Sequence, residues 1–105
     1  MTIEERQNIY KQALETYGEE KQMLMLLEEM SELQVAICHY LRDRPHNVEE
    51  EIADVQNCLG QIKLLFNEDK INSIMDLKME RKLKRNLEFI ARIEKSITTK
   101  EGNND

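Results

Sequence analysis

One proline, Pro45, and three glycines are all the backbone punctuation in this 105-residue chain. Gly and Pro are the strongest breakers of regular structure, so a chain this poor in them cannot supply the many tight turns of a β protein. Between the breaks, Leu, Met, Glu, Lys and Gln dominate, and all are good helix formers. The expected class is all-α, of the four-helix-bundle type. The length fits a single domain. A monomer this small buries only a modest share of its surface, so association with further copies is expected.

The local signals divide the chain. Thr2 can cap a helix over residues 3–17, with Glu5 completing a capping box and Gly18 stopping it. Ile9, Ala13 and Leu14 give this helix a thin apolar stripe. A second helix is expected over residues 19–41, apolar on more than one face and therefore buried on several sides. Arg42 to His46 form a loop broken by Pro45. Asn47 reads as an N-cap with Glu50 at the third helical position. The helix that follows, residues 48–66, carries a regular stripe of Ile52, Val55, Leu59, Ile62 and Phe66. Asn67 to Asn72 are polar and read as a loop. A fourth helix is expected over residues 73–96, and the domain closes at residue 97. Residues 98–105 are polar and expected to be a disordered tail.

The net charge of −6 argues against a general nucleic-acid-binding surface, which would be basic. It leaves a nucleotide ligand open, because a bound divalent cation reverses the local field. Cys38 and Cys58 form no C-x-x-C motif and make no disulfide framework. They read as small buried residues of a reducing compartment. No apolar run approaches about 18 residues, so no membrane span is expected. The acidic start, Met1 to Glu5, lacks the basic region of a signal peptide. A cytoplasmic protein is expected.

Two acidic clusters remain, Glu28-Glu29-Met30-Ser31-Glu32 and Glu49-Glu50-Glu51-Ile52-Ala53-Asp54. Glu29 with Glu32, and Glu51 with Asp54, are spaced i, i+3 and so share a helix face. Most Glu-rich helices simply present such a face to water. Here the lane of Glu51 and Asp54 continues to Cys58, and that of Glu29 and Glu32 holds Met25, Leu33 and Ala36. These carboxylates point toward a packed interior or its margin. Carboxylates placed so repel each other and resist desolvation unless something compensates. A hard divalent cation, Mg²⁺ or Mn²⁺, suits oxygen ligands. Zinc would favour His and Cys, and His39 and His46 lie outside both pairs. No Glu has a His three residues on, which argues against a di-iron bundle.

The spacing poses a geometric problem. Glu32 lies about ten residues before the turn and Glu51 about three after it, an offset of roughly 10 Å. Either the loop runs back along the second helix, since five extended residues reach about 16 Å, or that helix ends early.

The fourth helix is basic. Lys78, Arg81 and Arg85 fall on one of its faces. A charge run is usually a solvated surface, here paired with Glu80 and Glu88. Beside a carboxylate–metal site it could neutralise a phosphate tail.

The pattern Glu29-x-x-Glu32, eighteen intervening residues, then Glu51-x-x-Asp54 resembles the MazG-like, all-α nucleoside triphosphate pyrophosphohydrolases. The phrases LLEEMSELQVAI, EEIADVQNCLGQI and KMERKLKRNLEF extend the likeness over roughly residues 17 to 92. The resemblance implies Mg²⁺-dependent hydrolysis of a nucleoside triphosphate, a deoxynucleotide or a non-canonical one, to the monophosphate and pyrophosphate. It implies a homodimer or homotetramer in which the site is completed. By the same likeness Glu29, Glu32, Glu51 and Asp54 would hold the metal, with Mn²⁺ as a substitute. Glu32 or Glu28 would take the proton of the attacking water. Lys78, Arg81 and Arg85 would grip the phosphates, and Gln22 would touch the substrate. The competing expectations are a helical bundle that mediates assembly, suggested by the Met-rich second helix, and a protein that binds nucleotide without cleaving it.

Overall fold

The computed structural model describes residues 1–103. Four helices follow one another, α1 (Ile3–Tyr17), α2 (Glu19–Leu41), α3 (Val48–Lys63) and α4 (Glu68–Asn103). The described residues contain no strand. None of the helices is long and apolar enough to cross a membrane.

The chain divides into two compact units, one of Met1–Asn67 and one that begins at Glu68. In the first, α2 and α3 make the most extensive contact and α1 packs against both.

The start of α1 follows its sequence. Thr2 Oγ1 accepts the Glu5 N–H at 3.0 Å and Glu5 Oε2 accepts the Thr2 N–H at 3.4 Å, closing the capping box. Gly18 ends α1 and opens α2 with φ +89°, a region that costs any residue with a Cβ. The residue that α1 buries is Tyr10, while Ile9 of the expected stripe stays exposed. Tyr10 goes inward because its hydroxyl finds a partner. It donates to Asn57 Oδ1 on α3 at 2.8 Å. Its ring lies against Gly60, where a Cβ would come 2.8 Å from the ring's Cζ.

α3 turns its acidic lane inward, as the continuation of that lane to Cys58 suggests. Ile52 and Leu59 of the apolar stripe are exposed, while Glu51 and Cys58 are buried. The lane facing α2 is therefore the acidic one, and of the stripe Val55 and Ile62 are half-buried while Ile52, Leu59 and Phe66 stay open. α3 also ends at Lys63 rather than Phe66, in a turn where Leu65 and Phe66 N–H groups bond Ile62 and Lys63 carbonyls.

α4 starts at Glu68, not at Ser73. Asn67 to Asn72 are polar but hold no Gly or Pro, and Glu68 and Asp69 in a first helical turn suit the positive end of the helix dipole. The helix also continues through residues 98–103, which the sequence assigns to a tail. The last two residues of that tail, 104 and 105, lie outside the described residues. At 36 residues, α4 is about 54 Å long.

Candidate metal centre

The turn from α2 to α3 sets the site. After Leu41 the chain folds back on the helix it has just left. Asp43 takes φ +53°, and the Arg44 N–H bonds the His39 carbonyl at 2.9 Å. The His46 ring sits edge-on to Tyr40, with centroids 5.1 Å apart at 85°. The loop thus runs back along α2, which is what the offset of the two acidic pairs requires, and α2 keeps its full length.

Asn47 does not cap α3. With ψ of 44° its side chain makes no cap bond. His46 Nδ1 instead accepts the Val48 N–H at 3.3 Å. Asn47 is freed for another task. Its Nδ2 donates to Glu51 Oε1 at 2.9 Å and so fixes that carboxylate from behind.

Glu29 from α2 and Glu51 and Asp54 from α3 converge, with one carboxylate oxygen of each lying within 4.8 Å of the others. Glu51 is only 8% exposed, and Glu29 and Asp54 are half-buried. Glu29 Oε2 and Glu51 Oε2 are both shut away from solvent without a hydrogen-bond partner. Such orphaned acceptors are uncommon, and each raises the question of what satisfies it when the site is in use.

The electrostatics agree with the geometry. Burial holds the Glu29 carboxyl above its ordinary range, and the like charges of Glu32, Asp54 and Glu51 push the same way. Burial likewise raises Glu51. The Asn47 hydrogen bond opposes that shift, while Glu32, Asp54 and Glu50 add to it. Cys58, buried on the same lane, is raised by burial and then by Glu29 and Asp54. It is therefore kept as a thiol rather than a nucleophilic thiolate.

Of the expected ligands, Glu29, Glu51 and Asp54 come together. Glu32 stands at the margin. It is exposed, and its charge acts on Glu29 and Glu51. Glu28 is exposed and is not one of the converging groups. Gln22, at 3% exposed, is buried on the same face of α2. Lys78, Arg81 and Arg85 share a shallow depression on α4 with Lys82 and Asn86. Two participants escaped the sequence reading. The sequence around Asn47 reads as a cap, although its place four residues before Glu51 is a signal of its contact with that carboxylate. Gln61 lies one turn beyond Cys58 on the acidic lane, and its Oε1 is also buried without a partner.

The donor set fits a hard divalent cation. Three carboxylates supply charge and oxygen, two orphaned oxygens need a partner, and three ligands leave coordination positions for water and phosphate, as Mg²⁺ prefers. Compared with protein-family models, curated proteins and solved structures, the chain finds no match.

Proposed function

We propose that this protein is a Mg²⁺-dependent nucleoside triphosphate pyrophosphohydrolase of the MazG-like kind. The observation that carries the reading is the convergence of Glu29, Glu51 and Asp54 from two helices, with two buried oxygens left without partners. Glu29, Glu51 and Asp54 would hold Mg²⁺ or Mn²⁺, which would supply Lewis-acid chemistry toward the phosphate oxygens and the attacking water. Water then adds across a phosphoanhydride bond, and nucleoside monophosphate and pyrophosphate leave.

The chain's own groups do the rest. Asn47 aims the Glu51 carboxylate. Glu32, exposed to solvent and spaced i, i+3 from Glu29 on α2, accepts the proton of the attacking water, with exposed Glu28 as the alternative acceptor. The depression lined by Lys78, Arg81 and Arg85 offers a cationic surface of the kind that holds a phosphate tail.

An oligomer belongs to this proposal. In the unit of Met1–Asn67 the apolar residues that are buried are Tyr10, Ala36 and Cys58, while Leu24, Leu27 (62% exposed), Val35 and Leu41 stand open on α2. A homodimer or homotetramer covers such a face and completes the site. The same open face favours the second reading, a bundle that assembles without catalysis.

Pyrophosphate release from a panel of ribo- and deoxynucleoside triphosphates separates the two. Turnover that needs Mg²⁺, stops in EDTA and is lost in Asp54→Asn supports the enzyme. No turnover on any nucleotide by folded protein favours assembly alone.

A further inference from the structure

α4 carries an apolar stripe of its own. Met79, Leu83, Ile90, Ile93 and Ile97, with Asn86 among them, recur at alternating intervals of four and three residues. That is the spacing of a seam between two paired helices. Every apolar member stands open, from 44% exposed at Ile93 to 61% at Met79. In the same register Asp76 and Lys100 fall one step beyond either end and close the seam, which is about 27 Å long.

The residues beside the seam are ordered too. At the height of Asn86, exposed Leu87 and Phe89 widen the stripe, one on each side. Glu80 and Glu94 border one edge and Lys82 the other. Lys78, Arg81 and Arg85, which line the basic depression, lie outside the seam and stay free when it is covered. A basic amphipathic helix often rests on a lipid surface. Here Glu80 and Glu94 stand at the margin of the apolar stripe, where anionic headgroups would repel them, so the pattern favours a protein partner.

We propose that the α4 helices of two copies of this chain pair along the seam, parallel and in register. In a parallel pair, related by a two-fold axis along the helices, one edge of each helix meets the opposite edge of the other. The edge with Glu80 and Glu94 then meets the edge with Lys82, and opposite charges set orientation as they do beside other helical seams. In an antiparallel pair each edge meets its own kind, and Glu80 of one copy would approach Glu94 of the other. In register, each seam residue also faces its own kind. Asn86 faces a second carboxamide, and since each offers a donor and an acceptor, the two satisfy one another between Leu87 and Phe89. A single polar residue in an apolar seam fixes register in this way. This contact is separate from the open face of α2 and holds whether or not the chain cleaves nucleotides.

The test is a disulfide trap in the full chain. Cys38 is exposed and Cys58 buried, so Cys38→Ser supplies the background. Ile90→Cys is expected to crosslink to a dimer under mild oxidation, because a parallel seam brings equivalent Cα atoms within about 7 Å, the reach of a disulfide. Glu88→Cys, on the far side of α4, is expected to give at least tenfold less dimer. Adding Leu83→Glu to Ile90→Cys is expected to cut the crosslink at least tenfold, and since Leu83 is exposed it disturbs no core. Orientation is read by mixing tagged Leu83→Cys with untagged Ile93→Cys. Each is expected to crosslink to its own kind, and a predominance of the mixed dimer would mean antiparallel helices and overturn the proposal. Equal crosslinking at Ile90 and Glu88 overturns it as well. So does an Ile90→Cys chain that stays monomeric, as it would if its own first unit covered the stripe, or that changes only when vesicles containing phosphatidylserine are added.

Discussion

Glu51 is held by three influences that do not agree. Burial and its acidic neighbours favour the neutral acid, and Asn47 favours the carboxylate. Removing Asn47 takes away the only one of these that helps a cation bind. Asn47→Ala is expected to weaken Mn²⁺ binding about 10–100-fold, as loss of a group that orients a ligand does, with little change in the metal-free melting temperature. Isothermal titration with Mn²⁺ reads this directly. Asp54→Asn removes a ligand itself, so its loss of turnover should exceed that range while the fold persists. A variant as active as the parent would remove Asp54 from the chemistry. The raised carboxyls of Glu29 and Glu51 also give stability a pH dependence. Between the ordinary value of 4.5 and the raised folded values, the folded chain binds more protons than the unfolded one. Stability conferred by these two groups therefore falls as pH rises through that window. In EDTA, melting temperature should drop with rising pH more steeply in the parent than in Glu51→Gln, and Mg²⁺ should offset the drop. Identical pH curves for parent and variant would show that burial and the neighbouring acids do not raise Glu51.

At the scale of the helices, α3 is the element most constrained. Its Gly60 gives room to the Tyr10 ring, so Gly60→Ala pits better helix propensity against a displaced aromatic. Overpacking of this kind costs about 1–3 kcal/mol, and the phenol would lose its bond to Asn57. Urea unfolding should show a net loss, and a stabilised Gly60→Ala would mean that α1 yields easily. Gly18→Ala has open space but the wrong φ, so its cost, about 1 kcal/mol, comes from backbone strain. The contrast explains what could be read from the chain beforehand. α1 and α2 start and stop at Thr2 and Gly18, residues whose local chemistry decides the matter. The acidic lanes were legible because i, i+3 spacing is a property of any helix. The inward turn of α3's acidic lane was legible in its continuation to Cys58, while the exposure of Ile52 and Leu59 was not, because a regular apolar stripe says that a face is covered and not by what. Polar Asn67 to Asn72 looked like a loop for want of apolar residues, but polarity without Gly or Pro breaks no helix. Asn47 misled because one side chain can cap a helix or hold Glu51, and only the returning loop decides between them.

For the whole molecule, the open apolar faces make the strongest demand. α4 carries exposed Leu83, Leu87 and Phe89, and most helical stability in proteins comes from packing an apolar face. Light scattering at micromolar concentration should give a mass at least twice that of the 12.5 kDa chain. Leu27→Glu, on the open side of α2, should shift the mass toward the monomer. Unchanged mass in that variant would move the interface elsewhere, and a monomeric parent would remove it.

The returning loop has a further effect on motion. Because α3 begins beside the middle of α2, the last turns of α2, through Tyr40 and Leu41, overhang it, braced by a few loop residues and the His46 ring. Amide hydrogens there depend on a local opening free energy that the rest of the unit does not set. Their exchange should be fast in an isolated chain and slow wherever another copy clamps the overhang. Tyr40 and Leu41, both exposed, are therefore expected to report any assembly through their backbone protection, read by hydrogen exchange at low and high protein concentration.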